Sequence, residues 1–313
     1  NKLTKISIPQ NVERGITANT FIGCENLKTI YVYDGNEFYS SVDGVLYNKN
    51  QTEVLFVPPK MSGNIVLPDT VNDIRIKAFN GCKYVTGVTL PDSLTTIGLN
   101  AFSDCTGLIN ITIPKKVTAI YSNAFYGCEK LVEVCNLSSL NIEKGKTTNG
   151  CVARYAKNVY ADTGETSKIV TTTDGFTFYA DDDRVWLMRY SGSATDLVMS
   201  ADYNGRIYTV YSYAFYNCSA LKSVTFTDGV TIIMNNAFFE CNKLNKITIE
   251  SGDTTFYKNS FADCSALTEI EYSGSTNNWI NKGVSFGSNK NEPTVSCSNG
   301  KVYYYYYTTF WNG

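Results

Sequence analysis

The chain has 313 residues, 27 Lys plus Arg against 29 Asp plus Glu for a net charge of −2, and no histidine. Without imidazole there is no histidine-activated serine or cysteine nucleophile, no metzincin-type zinc site and no proton switch near neutral pH. The charge balance, with no Lys/Arg run and no glycine-rich phosphate loop, argues against nucleic-acid or nucleotide partners, and no apolar run approaches the ~20 residues of a membrane-spanning helix.

Read from the N-terminus, Leu3, Ile6 and Ile8 look like a repeat entered midway, and Asn1 is neither Met nor the start of a basic-then-apolar leader. The expectation is an excised segment whose natural chain, signal peptide included, continues upstream. Phe21 and Cys24 open a series of Phe-x-x-Cys pairs that recurs at Phe79/Cys82, Phe102/Cys105, Phe125/Cys128, Phe215/Cys218, Phe238/Cys241 and Phe261/Cys264. From Cys82 to Cys128, and again from Cys218 to Cys264, successive cysteines lie 23 residues apart. A period of roughly 20–29 residues belongs to leucine-rich solenoids. After the cysteine comes a Leu-x-x-Ile-x-Ile type run, as in Leu108, Ile111, Ile113 or Leu244, Ile247, Ile249, which predicts a short strand. A turn often marked by proline (Pro9, Pro91, Pro114) leads to a second apolar run such as Val117 and Ile120, and the unit closes on Ala-Phe-x-x-Cys. One such coil cannot bury its own apolar face. It must stack on the next, about 4.8 Å away, which sets the Phe and Cys of every unit into internal ladders.

Tyr31 to Leu67 and Cys135 to Arg206 break the beat on a shared plan. The first has Asp43-Gly44, Val-Leu-Tyr, a polar turn at Asn48 to Asn50 and then Val54 to Val57; the second has Asp174-Gly175, Phe176 to Tyr179, an acidic turn at Asp181 to Asp183 and then Val185 to Met188. Both predict β-hairpins and suggest that a hairpin-plus-coil block was duplicated. A short helix is expected near Val152 to Ala156. The predicted fold is mainly β with short helical turns: one continuous right-handed leucine-rich-repeat solenoid with a 23-residue repeat and inserted β-hairpins. Residues 1–134 form N-terminal repeats with a hairpin near 35–59, 135–206 an irregular insert with the second hairpin, 207–272 the C-terminal repeats and 273–313 a cap.

Units such as LINITIPKKVTAIYSNAFYGCEKL (Leu108 to Leu131) resemble the BspA-type leucine-rich repeats of bacterial surface proteins. The resemblance covers most of the chain, since the hairpin blocks resemble the family's insertions and Tyr272 to Phe286 with Cys297-Ser298-Asn299-Gly300 resembles its common ending. It departs from the pattern at Asn19-Thr20 and Asn259-Ser260, where alanine before phenylalanine is lost, and at Val85, where leucine is expected. The resemblance implies an exported protein at the bacterial surface, and some members are adhesins toward host proteins or other bacteria. It carries no ligand-binding residues to this chain.

The seven repeat cysteines share one core-facing position, where cysteine serves as a small apolar residue, so buried thiols are expected although neighbouring coils stand within disulfide reach. A line of sulfurs at this spacing does not offer the clustered ligands of a zinc site, and no metal or cofactor is expected. Cys135 takes an outward position and could pair with Cys151 to staple the insert; the alternative is two partly covered thiols.

The candidate ligand-binding face is the middle outward position of the strands: Ser7, Tyr31, Thr89, Thr112, Cys135, Thr225, Thr248 and Glu271. Threonine suits strands whether or not anything binds, whereas tyrosine is a favoured binding anchor, which singles out Tyr31. The aromatic run Tyr303 to Tyr307 with Phe310 and Trp311 either caps the last coil or presents a binding face. Its alternation sets Tyr304 and Tyr306 opposite Tyr303, Tyr305 and Tyr307. Asp181 to Asp183 lacks the alternate spacing of a calcium loop and reads as a solvated turn.

The reading is a non-enzymatic recognition protein at the cell surface or in secreted form, adhesin-like, whose partner is a protein or glycan, of the host matrix or of other bacteria. A purely structural spacer is the first rival. A histidine-free glycosidase is the second, and it would need opposed carboxylates in a cleft, which Glu269 and Glu271 on one strand face do not supply.

Overall fold

The structure, a computed structural model, describes residues 2–161, 167–286 and 293–304. Each regular coil follows from its alternation. In Asn110–Ile113 the side chains of Asn110 and Thr112 are exposed while Ile111 and Ile113 are buried, and the strand pairs in parallel with Glu133–Asn136, Ile111 against Val134 and Thr112 against Cys135. Pro114 starts the next turn, its carbonyl accepting from Val117 N–H at 3.1 Å. A two-residue strand, Ala119–Ile120, then pairs in parallel with Thr96–Ile97 in a second sheet. The coil closes through a left-handed residue before the alanine, or before Ser260 in its place: Asn100, Asn123, Asn236 and Asn259 have φ of 53°, 54°, 55° and 65°, and Lys77 and Tyr213 stand at the same place with φ of 59° and 58°. Asparagine is among the few side-chain-bearing residues that take this conformation readily.

The Phe-x-x-Cys turn locks one coil to the next. Phe79 N–H donates to the Ala101 carbonyl and Phe102 N–H to that of Ala124, both at 2.7 Å. In return, Cys105 Sγ donates to the Phe79 carbonyl and Cys128 Sγ to that of Phe102, both at 3.1 Å. Cys241 and Cys264 do the same for Phe215 and Phe238 at 2.9 and 3.1 Å. The cysteine is thus both a small core residue and a donor, which valine or alanine could not be. The phenylalanine rings stack, with centroids 4.5 Å apart for Phe79 and Phe102 and 4.9 Å for Phe102 and Phe125. Where Ser260 replaces the alanine, its buried hydroxyl donates to the Ile233 carbonyl at 3.1 Å, so the substitution leaves no unsatisfied polar group.

The chain divides into two compact units, Asn1–Ser167 and Lys168–Gly313. In the first, a six-stranded sheet runs in the order Ala119–Ile120, Thr96–Ile97, Asp73–Ile74, Glu53–Phe56, Val45–Asn48, Tyr39–Val42. The strand side carries Lys5–Ile8 on Thr29–Val32, Gly63–Val66 on Val85–Thr89, and Asn110–Ile113 on Glu133–Asn136 and Asn158–Tyr160. In the second unit, one sheet runs Ile169–Thr171, Phe176–Ala180, Val185–Tyr190, Tyr208–Val210, Val230–Ile233, Thr255–Phe256, and the other Asp196–Val198, Ser223–Phe226, Lys246–Ile249, Glu269–Tyr272, Thr294–Cys297, Gly300–Tyr303.

Two expectations change. Each predicted hairpin is a three-stranded meander, because a strand before the Asp-Gly turn, Tyr39–Val42 or Ile169–Thr171, adds an outer antiparallel partner. The last arm of each meander is also the first rung of the parallel ladder: Glu53–Phe56 pairs with Asp73–Ile74, and Val185–Tyr190 with Tyr208–Val210. Second, the helical turn expected at Val152 to Ala156 lies just earlier, as a 3-10 turn at Asn149–Cys151. Phe125 N–H donates to the Gly150 carbonyl at 2.7 Å, as Phe102 does to Ala124, so this turn completes another coil. In the cap, Thr276–Asn281 is a short α-helix that buries Trp279.

Candidate binding surface

The strand pairing places the outward positions in register: Ser7 beside Tyr31, Thr89 beside Val66, Thr112 beside Cys135 and Tyr160, and Thr225 between Val198 and Thr248, followed by Glu271 and Ser296. Val66, Val198, Tyr160 and Ser296 belong to these rows although their segments lie outside the regular repeat. The rows are not uniform. Tyr31 and Tyr33 are 44% and 49% exposed and meet edge to face at 5.2 Å, an amphipathic pair held open to solvent on the first unit. Thr225 and Thr248 are half-buried. Glu271 is committed: it accepts from Lys246 Nζ at 2.8 Å and from Thr248 Oγ1 at 3.0 Å. Those two hydrogen bonds, the Lys246 one first, hold its carboxyl below the usual range, and Glu271 in turn raises the Lys246 ammonium.

All ten cysteines are free thiols, so of the two alternatives for Cys135 and Cys151 this structure has the unbridged thiols. Cys135 is half-buried in the outward row, while Cys151 follows Gly150 as Phe125 follows Ala124 and is buried, its Sγ donating to the Thr147 carbonyl at 3.5 Å. The two side chains thus belong to different parts of their coils. Burial pushes the ladder thiols up, Cys82, Cys105 and Cys241 strongly and Cys264 to about 12.

Tyr304 packs into the cap. Its hydroxyl accepts from Trp279 Nε1 at 2.9 Å and its ring packs edge-on against Phe286 at 4.9 Å, which makes it part of the cap, while Tyr303 is 55% exposed. Tyr306 lies outside the described residues. The acidic turn is organised by arginines: Asp181 Oδ1 accepts from the backbone N–H of Asp183 and Arg184 at 3.1 and 2.9 Å, and Arg206 donates to the Asp181 and Asp182 carbonyls at 2.7 and 3.2 Å. The Asp181 carboxylate thus serves the turn, and that of Asp183 pairs with Arg184 at 3.3 Å.

Sequence reasoning missed a cleft of about 700 Å³ in the first unit. It lies where the turn before the first Phe-x-x-Cys unit, with Arg14 and Ile16, faces Glu37 and Phe38, the Asn48 to Asn50 turn, the outward residues Glu53 and Leu55, and Arg75. Its walls are braced. Ile16 N–H donates to the Tyr39 hydroxyl at 2.8 Å, and the fully buried Asn36 accepts on Oδ1 from Phe38 and Tyr39 N–H at 2.9 and 2.8 Å. The Asn36 carbonyl accepts from Lys49 Nζ at 2.5 Å. Arg14 lies 5.4 Å from the Phe38 ring centroid, and Arg75 pairs with Asp73 at 3.3 Å and Glu53 at 3.8 Å. Two carboxylates therefore line this cleft, but Glu37 is exposed and Glu53 is ion-paired, so neither has the dry enclosure that makes a glycosidase acid. No segment-local pattern announces the site, because its residues come from five separated stretches.

Compared with known proteins, residues 1–62, 55–153 and 193–310 match the family model described as BspA type leucine rich repeat region, in six copies. No curated protein sequence matches the chain significantly. Among solved structures, the chain is similar to a leucine-rich repeat protein from Eubacterium ventriosum at 24% identity and TM-score 0.42, covering 85% of this chain and 59% of that one. It is similar to the pneumococcal vaccine antigen PcpA at 20% identity and TM-score 0.38, covering 96% of this chain and 56% of that one. It is also similar to a leucine rich cell surface protein from Faecalibacterium prausnitzii at 21% identity and TM-score 0.32, covering 89% and 81%. The chain thus spans less than two thirds of the length of the first two.

Proposed function

The chain belongs to the BspA-type leucine-rich repeat family, and from that premise we propose that it is a non-enzymatic recognition protein of the bacterial surface, binding a protein or glycan partner through its exposed strand-side rows. The observation that carries this reading is the Tyr31–Tyr33 pair, since two half-exposed aromatic rings meeting edge to face are a costly thing to leave in water and a common anchor at interfaces. Support also comes from the absence of histidine and from the lysine and arginine that hold two of the strand-borne carboxylates, Glu271 and Glu53.

The test is a solid-phase screen of the intact segment against extracellular-matrix proteins, glycans and bacterial cells at physiological salt, with Tyr31→Ala/Tyr33→Ala alongside. Saturable binding that falls by about tenfold or more in the double variant is the expected result. Absence of saturable binding to every class would sink the recognition reading and leave the spacer. That second reading draws on the rest of the row, where Thr89, Thr112, Thr225 and Thr248 offer small hydroxyls rather than anchors.

A further inference from the structure

We propose that the cleft beside the first meander is a carbohydrate site that takes a short oligosaccharide; this rests on the recognition reading and gives it a second, separate locus. At about 700 Å³ the cleft falls within the roughly 300–1,000 Å³ of small-ligand sites. Its walls are fixed before any ligand arrives. The Ile16, Asn36, Asn48 and Lys49 hydrogen bonds tie the facing segments to one another or to the strands, so little ordering is left to be done on binding.

The chemistry selects among ligands. A pyranose presents a face of C–H groups and a rim of hydroxyls, each of which donates and accepts at once. The cleft answers both halves: Phe38 and Leu55, only partly buried, form an apolar surface, and around them stand planar hydrogen-bonding groups of both polarities, the guanidinium of Arg14, the carboxylates of Glu37 and Glu53 and the amide of Asn50. Polyanions such as nucleotides find no net positive charge here, because Glu37, Glu53 and Asp73 offset Arg14, Lys49 and Arg75. Wholly apolar ligands would strip water from at least four charged groups without replacing their hydrogen bonds. Arg14, Lys49 and Arg75 are offset by Glu37, Glu53 and the Asp73 that pairs with Arg75, so the charges of the cleft cancel, which suits an uncharged sugar.

The experiment exposes the intact chain to an array of immobilised oligosaccharides and carries the strongest free sugar to calorimetric titration with the wild type, with Arg14→Gln/Glu37→Gln and with Tyr31→Ala/Tyr33→Ala. Arg14 and Glu37 are exposed, so the first double variant keeps the fold, which circular dichroism checks. The proposal expects a sugar whose affinity drops about tenfold or more in the Arg14/Glu37 variant and is unchanged in the tyrosine variant. Sugar binding lost only in the tyrosine variant overturns the cleft site and supports the strand-side row. No sugar bound on the array, or one bound equally by all three proteins, also overturns it, while matrix-protein binding in the solid-phase screen would leave the broader recognition reading standing. Displacement of the sugar by unrelated short peptides marks the cleft as a peptide site and overturns the carbohydrate assignment.

Discussion

The two units start their thiol ladders in the same way and with different tightness. In the first, Cys82 reaches back to the Val57 carbonyl at 3.5 Å and is fully buried; in the second, Cys218 reaches the Tyr190 carbonyl at 3.7 Å and is half-buried. Inside the regular coils the same bond measures 2.9–3.1 Å. The acceptor explains the difference. Within the array it is the carbonyl of the preceding coil's phenylalanine, 26 residues back, whereas at each start it lies at the end of a meander, 25 residues back for Cys82 and 28 for Cys218. At the second junction the Tyr190 ring lies 5.5 Å from that of Phe215, tilted by 38°, where the first has the smaller Val57. Regular spacing therefore tightens the thiol bond alone, since the backbone bonds at the junctions, Val57 N–H to the Ala78 carbonyl at 2.7 Å and Tyr190 N–H to that of Ala214 at 2.8 Å, are as short as those inside the array.

The largest effect on this comparison comes from removing a ring in mid-ladder. Phe102→Ala should destabilise the fold by about 3–5 kcal/mol, as expected for a fully buried aromatic, with Phe238→Ala similar, both read as a lower midpoint in chemical denaturation. A loss below about 1 kcal/mol would mean that the stacked rings are not the main core contact. Next come the thiols. Cys105→Ala should cost about 1–2 kcal/mol, for a lost buried donor and a small void, and Cys218→Ala less than about 1 kcal/mol. Alkylation read by mass spectrometry should follow the same order: in the native state at pH 8 the half-buried Cys24, Cys135, Cys218 and Cys297 react, while Cys82, Cys105, Cys128, Cys241 and Cys264 react only on unfolding. Equal protection of Cys105 and Cys218 would erase the contrast between array and junction.

The smallest effect is electrostatic. Because the folded Glu271 carboxyl is held below its unfolded value, the contribution of its contacts is present above the unfolded value and is lost as pH falls through the folded one. Glu271→Gln should therefore flatten the acid limb of a stability–pH curve slightly and change little at neutral pH, since the pair is solvent-exposed. A marked loss of stability at pH 7 in this variant would show that the row is held by charge rather than by its backbone ladder.

The array was legible in the sequence because a coil writes itself into two short patterns, Leu-x-x-Ile-x-Ile and Ala-Phe-x-x-Cys, and the outward row follows from the first by alternation alone. What escaped was carried by fewer residues or by more distant ones. Two-residue strands such as Thr96–Ile97 are too short for a period to show. The outer strand Tyr39–Val42 was signalled only by Asp43-Gly44, whose φ values of 50° and 85° make the tight two-residue turn that such a dipeptide favours. Alternation sets Tyr304 opposite Tyr303 without telling which face caps, because the Trp279 N–H that claims the Tyr304 hydroxyl lies 25 residues earlier. The cleft joins Arg14 to Arg75 through the first meander, and nothing in either local sequence points to the other.

The Phe-x-x-Cys lock also has a direction. A coil gives its thiol proton to the phenylalanine carbonyl behind it and lends its own phenylalanine N–H to the alanine carbonyl ahead, so the coils join head to tail like monomers of a polar chain. Deleting or duplicating one whole 23-residue unit leaves donors and acceptors matched on both sides of the joint. Losing or gaining a single residue inside a coil shifts its thiol off its acceptor and orphans a buried carbonyl. Arrays of this kind are thus free to change length in whole units and are held rigidly against change by any fraction of one.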